Sequence, residues 1–166
     1  MERLWAPWRL QYVVKDKPGG CIFCDKPLAG DDRTNYIVHR GALAFVILNA
    51  FPYNNGHIMV APFAHIANLE ELPPATIHEM MDLAQLATRA LKGNFNPDGL
   101  NLGFNLGAAA GAGIADHLHM HLVPRWVGDT NFMPVVGDVR VIPESLEQTY
   151  DKLSEAFKRL QGAGAS

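Results

Sequence analysis

Apolar residues along this chain follow a period of two in several short segments and a period near 3.6 in two longer ones. Apolar residues at spacings of three and four predict a long helix over 74–92, begun by Pro73-Pro74 and ended by Gly93. The same spacing predicts a second helix over 144–160. Short alternating or β-branched segments predict strands. We assign five strands, at 36–39, 43–48, 57–61, 100–105 and 117–124.

The order of these elements favours one fold class. Strands that follow one another, interrupted by a single long helix, are typical of an α+β fold with a largely antiparallel sheet and helices packed on one side. We divide the chain into an N-terminal arm (1–20), a catalytic domain (21–143) and a C-terminal helix with its tail (144–166).

Composition narrows the class of protein. The chain has 166 residues, of which 48% are hydrophobic, so it can bury a core and is not a wholly disordered protein. The net charge is −3, which argues against a broadly basic surface for a nucleic-acid polymer. No apolar run approaches the roughly 18 residues of a membrane span, and the N-terminus lacks the apolar core of a signal peptide. We therefore expect no membrane partner and a cytoplasmic location.

The segment 117–124 carries the most informative pattern, because His117, His119 and His121 alternate with apolar residues. Alternate residues of a strand point to the same face, so the three imidazoles form one row and the apolar residues pack against the core. Near neutral pH an imidazole can act as a nucleophile, a proton carrier or a metal ligand. A surface strand that merely carries histidines is the competing interpretation. A neutral nucleophilic imidazole also needs an acceptor on its other nitrogen, and we expect a backbone carbonyl there.

Just upstream, 105–113 is a loop rich in glycine and alanine. Small residues let a phosphate approach backbone N–H groups, here at Gly111 and Gly113. A flexible loop with no ligand is the alternative.

The histidine segment resembles a known family. The sequence 117–123, His-Leu-His-Met-His-Leu-Val, is similar to the His-φ-His-φ-His-φ-φ signature of the histidine-triad superfamily of nucleotide hydrolases and transferases. Weaker similarities point to the branch of fragile-histidine-triad hydrolases and diadenosine tetraphosphate phosphorylases. The further segments that match family landmarks are 5–9, 48–49, 56–62, His65 and 128–133.

The resemblance implies a histidine-triad fold, a homodimer whose sheets join across the two-fold axis, and a nucleotide substrate such as diadenosine tetraphosphate. His119 corresponds to the nucleophile that attacks the α-phosphorus and forms a covalent nucleotidyl-histidine. His121 corresponds to a phosphate ligand and His57 to a further active-site histidine. Asn105 matches a residue at the phosphate or leaving group, and Asn49 a residue at the ribose.

The resemblance leaves the exact reaction open. Hydrolysis, phosphorolysis and nucleoside phosphoramidase activity all fit it, as does a nucleotide-binding sensor without turnover. Any Mg²⁺ would be carried by the polyphosphate. The segment 113–116 departs from many members, because Asp116 is its only polar side chain, and we expect Asp116 to face solvent.

Cys21 and Cys24 have the spacing of a metal knuckle or a redox pair, although the strand and helix context of a redox pair is missing. Zinc-containing members of the superfamily complete such a pair with a histidine after the third strand and the first triad histidine. Here these are His65 and His117, which implies a structural Zn²⁺ site. Two free buried cysteines, or one catalytic zinc held by all three alternating histidines, are the alternatives.

Several single residues have more than one interpretation. The aromatic rings of Trp5, Trp8 and Trp126 could stack on a base, although core or dimer contacts explain them equally. The resemblance places Ile22, Phe23 and Leu43 around the base. We expect His78 to be exposed, and Arg125 to bind phosphate or to form a surface ion pair.

Overall fold

The computed structural model describes residues 20–129 and 142–163. Across this part of the chain a five-stranded antiparallel sheet has the strand order β1-β2-β3-β5-β4. Its strands are β1 (Ile37–Arg40), β2 (Ala44–Leu48), β3 (Ile58–Pro62), β4 (Gly99–Phe104) and β5 (Met120–Arg125). The helices are α1 (Ile22–Leu28), α2 (Pro74–Phe95) and α3 (Leu146–Ala163).

This architecture confirms the α+β prediction, with strand ends mostly within one residue of the expected ones. The predicted arm falls almost wholly outside the described residues, and so do Trp5 and Trp8. No helix in the described parts of the chain is long and apolar enough to cross a membrane.

The two faces of the sheet carry separate apolar clusters because successive strand residues point to opposite sides. On one face, Val46, Leu48 and Val60 pack with residues of α2 and α3 such as Met80 and Leu153. On the other face, Phe45, Ile47 and Met59 pack with Phe23 of α1. The expectation that all helices lie on one side is therefore wrong for α1. The C-terminal helix shares the larger core with the sheet and is part of the same folded unit.

The long helix α2 begins at Pro74, as the two prolines at 73 and 74 predicted, but it runs past the predicted end at residue 92. It continues through Gly93 to Phe95 and ends at Asn96, which has a left-handed backbone with φ 44°. The Asn96 N–H donates to the Lys92 carbonyl and closes the last turn. Phe95 packs against the main core, and this burial outweighs the cost of about 1 kcal/mol for glycine inside a helix.

Strand β5 begins three residues later than predicted. His117 and His119 lie on the segment that leads into it, outside the ladder with β3, which starts at Met120. The Leu118 N–H donates to the Ile66 carbonyl at 2.7 Å, so this segment is anchored to the chain that follows β3. The alternation still holds, because Leu118, Met120 and Leu122 all lie in the main core.

Candidate active site

The three alternating histidines share the face of the sheet that α1 partly covers, opposite the main core. His119 and His121 have ring centroids 4.9 Å apart, and Phe23 packs against both His117 and His119. The structure therefore brings the predicted row together, but it gives the three imidazoles different neighbours.

His119 is buried, with 5% of its surface exposed. Its Nδ1 lies 2.8 Å from the carbonyl oxygen of His117. A carbonyl only accepts, so Nδ1 carries the proton and Nε2 keeps its lone pair. Burial lowers the pKa of His119, which favours the neutral ring. The expected backbone acceptor is thus the carbonyl of the preceding triad residue, and His119 has the tautomer that a nucleophile at Nε2 requires.

His121 is the end of a hydrogen-bonded chain that runs through His57. The Tyr53 backbone N–H donates to Nδ1 of His57 at 3.0 Å, so the proton of a neutral His57 sits on Nε2. His57 Nε2 lies 3.0 Å from Nδ1 of His121 and donates to it. The proton of a neutral His121 is therefore on Nε2, ready to be donated. Burial, and then the neighbouring His119, lower the pKa of His121 to about 4.

Asn105 lies beside this donor, with its side-chain nitrogen 3.5 Å from Nε2 of His121. Both groups can therefore reach one phosphate oxygen. The loop that follows Asn105 contains a short 3₁₀ turn over Ala108–Ala110, closed by Gly111 with φ 92°. The Gly111 N–H already donates to the Ala108 carbonyl at 3.0 Å. The expected roles of Gly111 and Gly113 toward phosphate stay predictions.

Asn49 holds the loop that leads from β2 to His57. Its side-chain oxygen accepts from the Phe51 N–H at 2.9 Å, and its side-chain nitrogen lies 3.3 Å from Nδ1 of His57. Its backbone N–H donates to the His57 carbonyl at 3.0 Å. The loop between the two residues is therefore closed on itself, and the expected contact of Asn49 with a ribose stays a prediction.

A second cluster lies at the other end of the histidine row. Cys21, Cys24, His65 and His117 bring one ligand atom each within 4.8 Å of one another. His117 Nδ1 is 3.3 Å from Cys21 Sγ, 3.6 Å from Cys24 Sγ and 3.2 Å from His65 Nδ1. Tetrahedral zinc with Zn–N near 2.05 Å and Zn–S near 2.3 Å has N–N edges of about 3.3 Å and S–N edges of about 3.5 Å. The three distances from His117 Nδ1 therefore lie close to the edges of a four-coordinate zinc site.

The tautomer of His117 also suits a cation. His117 Nε2 lies 2.9 Å from the Pro62 carbonyl and donates to it, which leaves the Nδ1 lone pair facing the cysteines. Burial, and then the neighbouring Cys21, raise the pKa of Cys24 to about 11, so its thiolate form needs a cation beside it. His117 Nδ1 faces this cluster and His119 Nδ1 faces a carbonyl, so the three alternating histidines do not converge on one metal position.

The remaining predicted residues have mixed outcomes. His78 and Asp116 are exposed, as expected. Arg125 forms an ion pair with Asp129 and also donates to Asn101 at 3.0 Å, which favours the surface ion pair over phosphate. Trp126, a candidate for stacking on a base, is half-buried. Of the residues expected around the base, Phe23 is 1% exposed, whereas Ile22 and Leu43 expose 38% and 40% of their surfaces.

Sequence reasoning missed two residues that hold the site. The Tyr53 ring lies 4.6 Å from the His57 ring and 5.7 Å from the His121 ring, centroid to centroid. Asn54 donates to the Pro124 carbonyl at 3.1 Å and to Asp129 at 2.8 Å, which ties the loop before His57 to the end of β5. The cluster Pro-Tyr-Asn-Asn-Gly at 52–56 predicted only a loop, since turn residues give no sign of what their side chains will contact.

The chain is similar to several known proteins. The HIT domain family model matches residues 32–127. The AP-4-A phosphorylase of Mycobacterium tuberculosis is 38% identical, over 96% of this chain and 86% of that protein. A Zn-bound histidine triad family protein from Mycobacterium smegmatis has a TM-score of 0.69 and 28% identity, covering 87% of this chain and 97% of that one. A hypothetical histidine triad nucleotide-binding protein from Sulfolobus tokodaii has a TM-score of 0.66 and 28% identity, covering 85% and 94%.

Proposed function

This chain belongs to the HIT domain family, and we propose that it is a nucleotidyl hydrolase or transferase that cleaves dinucleoside polyphosphates at the α-phosphate. Diadenosine tetraphosphate is the substrate we expect. The observation that carries the proposal is the hydrogen bond from His119 Nδ1 to the His117 carbonyl, which leaves a neutral Nε2 as nucleophile. The relative named AP-4-A phosphorylase supports the choice of substrate.

In the first step, His119 Nε2 attacks the α-phosphorus. A nitrogen–phosphorus bond forms, the bond to the bridging oxygen breaks, and the remaining nucleotide leaves with the electron pair of that bond. The His119 ring becomes cationic at this point, and the His117 carbonyl stabilises the positive charge through the Nδ1 proton. His121 Nε2–H, and the amide of Asn105, donate to the phosphate oxygens as negative charge develops there.

In the second step, water or inorganic phosphate attacks the nucleotidyl-histidine. An oxygen–phosphorus bond forms as the nitrogen–phosphorus bond breaks, and the electron pair of the broken bond returns to His119 Nε2, which restores the neutral imidazole. When water is the acceptor, its proton passes to solvent. Splitting one displacement into two lets His119 serve first as nucleophile and then as leaving group. Water gives AMP and ATP from diadenosine tetraphosphate, whereas phosphate gives ADP and ATP. The relative's name favours phosphate as acceptor for this chain.

The test incubates the protein with diadenosine tetraphosphate, with and without phosphate, and separates the nucleotide products. His119→Ala should lose turnover by about three orders of magnitude or more, because the covalent step disappears. His78→Ala is the matched control, since this exposed histidine lies on α2 and should keep full activity. Measurable binding without turnover in the wild type would instead indicate a nucleotide sensor. Turnover only with an adenosine phosphoramidate would indicate the phosphoramidase.

We further propose that Cys21, Cys24, His65 and His117 hold a structural zinc ion. The spacing of their donor atoms and the Zn-bound relative from Mycobacterium smegmatis support this. A closed site of two thiolates and two imidazoles has no open position for a catalytic water, so the ion would contribute cross-linking. It would fasten the segment that begins α1 to the segment that enters β5.

We also propose a homodimer joined through β4, which lies at an edge of the sheet. Its residues are mostly exposed, and Leu102 on β4 and Met81 on α2 each expose 46% of their surface. These two residues line one groove, and a partly exposed apolar edge of this kind favours pairing with a second copy. Light scattering should give the mass of a dimer, and Leu102→Glu should give the mass of a monomer. A cytoplasmic location stays our prediction.

A further inference from the structure

The two cysteines of the metal cluster enclose a buried aromatic residue, Phe23. Cys21 precedes α1 and Cys24 lies on it, with Phe23 between them. The Phe23 side chain is 1% exposed, and its ring centroid lies 5.2 Å from that of His117 and 4.7 Å from that of His119. One side chain therefore contacts both a residue of the metal cluster and the candidate nucleophile.

His117 connects the same two centres through its other atoms. Its Nδ1 faces the cysteines, its Nε2 donates to the Pro62 carbonyl, and its own carbonyl accepts from Nδ1 of His119. A shift of the His117 backbone therefore moves the acceptor that sets the tautomer of His119. Phe23 packs on the rings of both residues and limits that shift.

We propose that Phe23 is a positioning residue for His119, which links the metal cluster to the nucleophile. With Cys21 and Cys24 held at the metal, α1 keeps the Phe23 ring against the His119 imidazole. The imidazole then stays on the His117 carbonyl with Nε2 pointing toward the phosphate. This inference rests on the proposed function, and it adds that the metal cluster controls the reaction rate as well as stability.

A wall of the base pocket is the competing role for Phe23. A residue that stacks on a base needs an exposed face, and Ile22 and Leu43 expose 38% and 40% of their surfaces. Phe23 belongs instead to the buried cluster with Phe45, and its ring contacts are with histidines. The packing favours the positioning role.

The first experiment compares Phe23→Leu with a matched control, Phe45→Leu. Phe45 is fully buried in the same cluster, and its ring stacks on Phe63 at 5.1 Å. Both variants should keep one zinc per chain and lose similar thermal stability. Phe23→Leu should lower kcat by about tenfold or more with KM nearly unchanged, because a misaimed nucleophile slows chemistry without weakening binding. Phe45→Leu should keep kcat within about twofold of the wild type.

Proton NMR of ¹⁵N-labelled imidazoles gives a second readout. The Nδ1 proton of His119 should exchange slowly with water in the wild type and in Phe45→Leu, and rapidly in Phe23→Leu and in zinc-chelated wild type. If Phe23→Leu raises KM and keeps kcat, or if its His119 proton stays protected, the positioning role is wrong. If Phe23→Leu does not fold, the chelated wild type decides: a protected His119 proton there also refutes the link.

The two proposals can fail separately. Equal turnover of wild type and His119→Ala would refute the proposed function. The exchange of the His119 proton would still show whether Phe23 and the metal cluster hold the imidazole.

Discussion

Substitution of His65 by Asn isolates the energetic contribution of the metal cluster. His65 is exposed, so losing its imidazole removes little packing from the core. Its Nδ1 lies 3.3 Å from Cys24 Sγ and 3.2 Å from His117 Nδ1, which makes it one of the four proposed ligands. Nearly all of the lost stability should therefore come from weaker zinc binding.

The size of the effect follows from linkage. An ion that binds only the folded state, at a free concentration of about 100 times its Kd, stabilises that state by about 2.7 kcal/mol. For a chain of this size, a loss of 1 kcal/mol lowers Tm by about 2–4 °C. His65→Asn should therefore lower Tm by roughly 5–11 °C if it abolishes zinc binding at that concentration.

The assay is thermal unfolding with buffered zinc and again with a chelator, alongside zinc content by elemental analysis. His78→Asn is the matched control, because His78 is also exposed and lies on α2, apart from the cluster. Wild type and His65→Asn should differ with zinc and coincide with the chelator. An equal difference under both conditions, or one tightly bound zinc in His65→Asn, would refute the reasoning.

Three further outcomes are expected. With a pKa of about 4, the His121 imidazole is protonated in about 1% of the free enzyme at pH 6, whereas an ordinary imidazole is protonated in about three quarters of it. We therefore expect kcat/KM to stay flat from pH 8 to 6. A fall of about fourfold over that range would show that the ring titrates normally. Tyr53→Ala should lower kcat/KM by roughly 3- to 10-fold and Tyr53→Phe should leave it unchanged, because the ring packs on His57 and His121. Equal losses of kcat/KM in the two variants would assign the effect to the hydroxyl. Gly41→Ala should lower the free energy of unfolding, measured by urea titration, by about 1–3 kcal/mol, because the new Cβ would collide with the Glu79 carboxylate that caps this turn. An unchanged midpoint would show that Glu79 moves away freely.

The spacing of apolar residues along the chain predicted most of the fold. Alternation at 117–124 placed Leu118, Met120 and Leu122 in the core and the histidines on the opposite face, since successive residues of an extended chain point to opposite sides. The helix α1 escaped prediction because it is seven residues long, contains Pro27 and buries only Phe23. One buried residue produces no periodicity, so nothing in the pattern marked a helix there.

The sequence by itself determined that three imidazoles share one face and that two cysteines lie three residues apart. Only the tertiary structure decided what each imidazole does. His117 turns toward the cysteines, His119 toward a backbone carbonyl and His121 toward His57, which follows from how β3, β5 and α1 meet. The physical reason is that a hydrogen bond tolerates a variation of only a few tenths of an ångström in its donor–acceptor distance, whereas a sequence pattern specifies just the side of the strand. The tautomer of each ring is therefore a property of the folded backbone.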